Sequence, residues 1–245
     1  MQDVGVFLAA LGTALATGLG ALPFLFSRAA SRRWLGLADA AAAGFMLAAS
    51  LALVIEGAGR GPLRLVGGAI AGALFIALTQ RLLHSHAEFL VGSLRGADAR
   101  KAVTIVAVMT VHSITEGVGV GVSFGGGGTL GVFITAAIAI HNIPEGLAIS
   151  LVLVPRGTRV RTAALWSVFS SLPQPLLALP AYVFVETFRP VLPAGLGFAA
   201  GAMVWMVLSE LVPDARSSAS TRAVAGVGAL SFAAMMGLQA LLLNF

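Results

Sequence analysis

The sequence has no cysteine, which excludes disulfide cross-links and thiolate metal sites. Charge is scarce as well: Asp, Glu, Lys and Arg make up 10% of the 245 residues, where a soluble domain carries about 25%. So few charges cannot coat a water-facing surface, and with 58% hydrophobic residues and a mean hydropathy of +0.96 the chain reads as integral to a membrane. No ten-residue alternating patterns of a membrane β-barrel occur, so the crossings are helices. There is no phosphate-cradling glycine loop, which argues against ATP-driven pumping. Nor is there an HExxH zinc-protease motif or the Glu-x-x-His order of a di-iron bundle. Aromatic residues amount to 7%, mostly Phe, and give little sign of an organic-substrate pocket.

What is present is a succession of apolar runs, each near the ~20 residues needed to span a bilayer. Eight are read, at about 4–26, 34–55, 63–83, 102–124, 129–154, 162–186, 191–212 and 221–243, in one domain covering 1–245. The first is too long, and too poor in preceding positive charge, for a signal peptide. The connecting segments are short; the longest, about 84–100, contains HSHAEF. None has room for a soluble domain, so function is expected inside the bundle. Twelve of the fifteen Lys and Arg fall in the loops after spans 1, 3, 5 and 7, and three (Arg60, Arg64, Arg189) in the loops after spans 2, 4 and 6. The positive-inside rule then places the odd loops in the cytoplasm and both termini outside. The net charge of +5 reflects this topology and carries no sign of nucleic-acid binding.

Ionisable groups within spans cost at least a few kcal/mol each and mark functional sites by default. Asp3, Asp39, Glu56, Glu186 and Glu210 lie near span ends. His112 and Glu116 of span 4, and His141 and Glu145 of span 5, lie near the middle. The segments HSITEG (112–117) and HNIPEG (141–146) share one spacing, His-polar-x-x-Glu-Gly. An i,i+4 separation stacks His over Glu on one helical face. Two such helices side by side can bring two imidazoles and two carboxylates to one point, a donor set suited to zinc and similar first-row cations. A single His–Glu pair in a membrane helix is often only a satisfied hydrogen bond; the repeat on consecutive spans favours a metal. Pro144 removes an amide that would bond the carbonyl of Ile140, which points to a broken helix at the site. Gly117 and Gly146 allow close helix approach.

These motifs resemble the signature of the ZIP family of divalent metal-ion transporters. AIHNIPEGLAIS (139–150) is similar to the family's span 5, ATGLGALPFLF (16–26) to its span 1, AAAGFMLAASL (41–51) to span 2 and GFAAGAMVWMVLSELVPDA (197–215) to span 7. HSITEGVGVGVSF and SSLPQPLLALPAY look most like a GufA-type branch. The resemblance implies an all-α bundle of eight transmembrane helices with inverted three-helix repeats around spans 4 and 5. Spans 1, 4, 5 and 6 would form a moving unit, and spans 2, 3, 7 and 8 a scaffold that often dimerises. It also implies a primary metal position at His112, Glu116, His141 and Glu145. Met46 matches a position that can offer a thioether, although core packing is the simpler reading. A second, adjacent position would draw on Ser113, Asn142 and Gln174 together with the two glutamates.

The sequence departs from the family pattern at two of these residues. Ser113 stands where Asn is usual, and Gln174 where many members have Glu. Two divalent cations against the two charges of Glu116 and Glu145 make a severe mismatch in a low-dielectric site, so one tightly held metal is expected. Among weaker candidates, His84 and His86 can catch exiting metal or lie solvated, Glu210 and Asp214 can guide cations or be structural, and Asp39 and Glu56 read as interfacial.

The function expected from the resemblance is transport of a divalent cation, zinc before Fe, Mn, Co or Cd, toward the cytoplasm by alternating access. The metal is cargo; no catalytic cofactor and no enzymatic activity are expected. Two other classes stay open, an intramembrane metalloenzyme and a proton or solute carrier using His–Glu pairs. The expected setting is the lipid bilayer of a bacterial inner membrane. A homodimer is expected, with the small-residue runs GGAIAGALF (67–75) and AVAGVGALSF (223–232) as candidate dimer faces.

Overall fold

The structure, a computed structural model, describes the backbone of residues 2–26, 31–90 and 97–243, and their side chains except at 32, 84–90, 97–102, 104 and 243. Arg28 and Arg95 therefore lie outside the described residues, as do the side chains of Arg32, His84, His86, Arg100 and Lys101. The described residues form ten α-helices and contain no strand: α1 (Gln2–Gly18), α2 (Arg32–Ala58), α3 (Pro62–Leu90), α4 (Ala97–Gly126), α5 (Gly128–Leu153), α6 (Val160–Ser170), α7 (Pro173–Thr187), α8 (Leu192–Met206), α9 (Val212–Ser218) and α10 (Thr221–Leu243). They make eight stretches long and apolar enough to cross a membrane, Gln2–Leu25, Arg33–Ala58, Pro62–Leu83, Ile105–Gly126, Gly128–Arg156, Val160–Thr187, Arg189–Ser218 and Thr221–Leu242. Each falls within a few residues of the apolar run that announced it. The chain is an integral, multi-pass, all-α membrane protein.

Three details differ from the sequence reading. First, span 6 is not one helix: it stops at Ser170 and restarts at Pro173. Neither Pro173 nor Pro175 has an N–H to carry a helix through, and Pro173 suits a first helical position. Second, Pro144 breaks nothing, for α5 runs unbroken from Gly128 to Leu153. Third, much of the segment read as a loop over 84–100 is helical, since α3 continues to Leu90 and α4 begins at Ala97.

The helix pairings come in matched sets. Span 3 packs along span 7 as span 8 packs along span 2, and span 4 packs along span 6 as span 5 packs along span 1. Exchanging spans 1, 2, 3 and 4 with 6, 7, 8 and 5 maps each pairing onto its counterpart, as an inverted repeat requires. Close backbone approach makes these seams. A Cβ on Gly117 would lie 2.6 Å from the carbonyl oxygen of Gln174, and one on Gly146 would lie 1.7 Å from that of Thr17. The glycines following each Glu are thus what bring spans 6 and 1 against the two motif helices. Gly68 and Gly72 press on backbone carbonyls of α8, and Gly44 on the carbonyl of Gly228. The small residues of the candidate dimer faces therefore serve, in part, packing within the chain.

Candidate metal centre

Spans 4 and 5 lie side by side and place their motifs in the interior, where Glu116, His141, Asn142 and Ser113 are fully buried and His112 and Glu145 nearly so. Glu116, His141 and Glu145 each offer a ligand atom within 4.8 Å of the others. His141 Nε2 lies 2.9 Å from Glu116 Oε1, and its Nδ1 lies 3.1 Å from the carbonyl oxygen of Ala137. The backbone contact fixes the ring and leaves Nε2 turned to the cluster, an arrangement usual in metal-binding histidines. Two carboxylates and an imidazole this close together could hold a divalent ion.

His112 points elsewhere. Its Nε2 lies 3.0 Å from Glu210 Oε2, and its Nδ1 has no hydrogen-bond partner among the described residues. Glu210 sits in a π-helical turn, Val207–Leu211, between α8 and α9. Such turns insert an extra residue in a helix and swing its side chains, often at functional sites. Gln80 of α3 donates from Nε2 to Glu210 Oε1 (2.6 Å) and accepts from Trp205 Nε1 (3.1 Å), which holds the carboxylate in place. The sequence alone places Glu210 near the end of span 7 and carries no sign of this turn.

Gln174 opens α7 directly after the break in span 6, and both ends of its amide are engaged. Nε2 donates to Glu116 Oε2, while Oε1 accepts from the Thr13 hydroxyl and from Asn142 Nδ2. Asn142 Nδ2 also donates to the carbonyl oxygen of Thr13 (2.9 Å), and its Oδ1 has no partner among the described residues. Ser113 Oγ is likewise buried and without a partner among the described residues. Thr17 Oγ1 pairs with Ser171 Oγ at 2.8 Å, extending the polar seam along α1 to the break. The i,i+4 hydroxyls of Thr13 and Thr17, in a span otherwise apolar, were the available signal for this seam. Met46 is buried in the main apolar core.

A cavity of about 810 Å³ leads away from the cluster. Pro144 and Glu145 lie at its head, and its walls carry Asp39, Gln80, Glu210 and Asp214. The remaining wall residues come from the start of spans 2 and 4 and the end of spans 5 and 7, so it opens toward the arginine-rich end of the bundle. The opposite end is fastened. Arg60 Nη2 donates to the carbonyl oxygen of Gly126 (3.0 Å), Arg189 Nη1 to that of Gly125 (2.9 Å) and Arg64 Nη1 to that of Pro190 (2.9 Å). Glu56 pairs with Arg60 at 2.6 Å and Glu186 with Arg189 at 2.7 Å, which gives both acids a structural place. Beneath them Leu53, Phe133, Ile134 and Ala137 are fully buried.

Comparison with known proteins gives a consistent answer. The family model described as ZIP zinc transporter matches residues 92–238. A protein of Arabidopsis thaliana whose name proposes a zinc transporter is 48% identical over 243 residues, 98% of this chain; the chain spans only 39% of that relative's length. The zinc transporter GufA of Myxococcus xanthus is 33% identical over 219 residues, 84% of this chain and 86% of its own. Zinc transporter ZIPB of Bordetella bronchiseptica is 35% identical over 244 residues, 91% of this chain and 77% of its own. A family match over more than half the sequence, and relatives of similar length aligned along most of it, establish that this chain belongs to the ZIP family.

Proposed function

We propose that the chain carries a divalent cation, zinc foremost, across the membrane by alternating access, and releases it to the cytoplasm. The observation that carries this reading is a buried two-carboxylate, one-imidazole cluster at the head of a cavity open to one end of the bundle and fastened at the other. The positive-inside rule identifies the open end with the cytoplasm. In this reading Glu116, His141 and Glu145 replace the cation's hydration shell, and His112 joins them when it leaves Glu210. Asp39, Glu210 and Asp214 then draw the ion along the cavity.

Gln174 sets the number of ions. Its amide donor occupies one oxygen of Glu116, and its own oxygen already accepts two hydrogen bonds, so it supplies neither charge nor a free lone pair to a second cation. The names of the relatives support a transported metal, and the matched helix pairings support rocking of one half-bundle against the other.

Zinc uptake into proteoliposomes tests the proposal. The native chain is expected to take up zinc, more weakly as external pH falls, because protons and metal compete for the same lone pairs. Glu145→Ala is expected to bring uptake to the protein-free background. Stoichiometric zinc binding without flux would overturn transport in favour of a resident metal.

A further inference from the structure

On the outer surface of the bundle, away from the metal cluster, lies a slot of about 460 Å³ between α2, α9 and α10. One wall is Ala40, Ala43, Gly44 and Leu47, and the other is Val224, Ala225, Gly228, Ala229 and Phe232. It exists because the two helices touch at a glycine crossing: a Cβ on Gly44 would lie 2.3 Å from the carbonyl oxygen of Gly228. Small side chains on either side of that crossing then leave a groove. Along α10 the slot runs from Thr221 to Phe232, which at 1.5 Å per residue is about 16 Å, the depth of one leaflet of a ~30 Å hydrocarbon core.

The charge on this apolar slot is basic. Arg216, the one charged residue lining it, is exposed, as are Arg33 at the start of α2 and Arg222 at the start of α10. Gly36 packs against Ala215, which holds those helix ends together. No described carboxylate pairs with any of the three arginines. The acids nearest in sequence, Asp39 and Asp214, line the transport cavity on the other side of α9. The short helix α9 thus separates an acidic cavity from a basic, apolar slot.

We propose that the slot is a binding site for an anionic phospholipid of the leaflet at the arginine-rich end, its phosphate on Arg216 and one acyl chain along α10. A slot one leaflet deep fits a single chain, and Arg216 on its wall, with Arg33 and Arg222 exposed at the starts of the helices that form it, favours a headgroup of net negative charge over a zwitterionic one. The proposal stands apart from transport, since it needs only the bundle and the bilayer. A bound lipid here would lie across the seam between α2 and α10.

The test measures lipid adducts retained in native mass spectrometry, and thermal stability in detergent, with phosphatidylglycerol or phosphatidylcholine of matched chains. The native chain is expected to retain phosphatidylglycerol preferentially and to be stabilised by it. Arg216→Gln, a change at an exposed side chain, should weaken phosphatidylglycerol about fivefold, the contribution of one basic residue near a membrane surface, and weaken phosphatidylcholine, whose phosphate is offset by its choline, by clearly less. Ala225→Phe fills the slot with the arginines intact and should remove the retained lipid. Equal retention of the two lipids, or undiminished phosphatidylglycerol in Arg216→Gln, would overturn the proposal. So would an Ala225→Phe chain that keeps its lipid but passes from dimer to monomer, since a second copy would then occupy the slot.

Discussion

At the scale of single residues, the site is governed by which partners its polar atoms already have. Gln174 holds Glu116 by an N–H that no carboxylate can supply. Gln174→Glu removes that donor, frees a Glu116 oxygen and adds a negative charge beside Asn142, whose Oδ1 has no partner among the described residues. The bound zinc per chain, measured by equilibrium titration with elemental analysis, is expected to rise from one to two. An unchanged stoichiometry would mean that space, not charge, limits the site. His112 poses a competition, because the contact that holds its Nε2 on Glu210 keeps the ring outside the cluster, which it must leave Glu210 to join. A hydrogen bond to a charged group contributes about 1.5–3 kcal/mol, and Glu210→Gln forfeits most of it. Apparent zinc affinity is therefore expected to rise by about tenfold, with slower release into a chelating dye. A fall in affinity would instead make Glu210 a ligand in its own right.

Helices and their seams show how far the sequence could be read. Hydrophobic run length announces all eight spans, and the repeated His-x-x-x-Glu-Gly announces the motif helices with the glycines that seat them. What run length cannot convey is local backbone geometry. The break before Pro173 and the π-helical turn at Glu210 both leave a span apolar and long, yet they re-aim Gln174 and Glu210 toward the centre. Pro144, which in the sequence points to a break, is accommodated within a continuous helix. Seams also decide which glycines matter. Gly146→Ala drives a methyl group into the Thr17 carbonyl, whereas nothing lies within 4 Å of a Cβ on Gly226. Overpacking costs roughly 1–3 kcal/mol, and Gly→Ala in an open helix gains about 0.5–1 kcal/mol. Thermal unfolding in detergent is expected to fall clearly for Gly146→Ala and to hold or rise slightly for Gly226→Ala. Equal effects would show that the α1–α5 seam yields at little cost.

At the scale of the whole molecule, the chain is open at one end and fastened at the other, and its lack of cysteine makes that asymmetry measurable. A single cysteine at Ala148, on the cavity wall, is expected to react with a hydrophilic maleimide supplied from the arginine-rich side. One at Ala49, which is 1% exposed in the fastened half, is expected to be protected from both sides. Alternating access requires that protection to be conditional. The fastening consists of arginine-to-carbonyl bonds across the ends of α2, α4 and α7, and Arg60 and Arg189 are 46% and 56% exposed, so each contributes only about 0.5–1 kcal/mol after solvent screening. Removing both with Arg60→Ala and Arg189→Ala lowers the closure by about 1–2 kcal/mol, a factor of about 5–30 in the open population. Labelling at Ala49→Cys should accelerate by that factor, and only from the side opposite the cavity, while Ala148→Cys should slow. Acceleration at both positions would point to a loosened fold. No acceleration at either would place the barrier in the apolar layer of Leu53, Phe133 and Ile134, with the arginines serving only to cap helix ends.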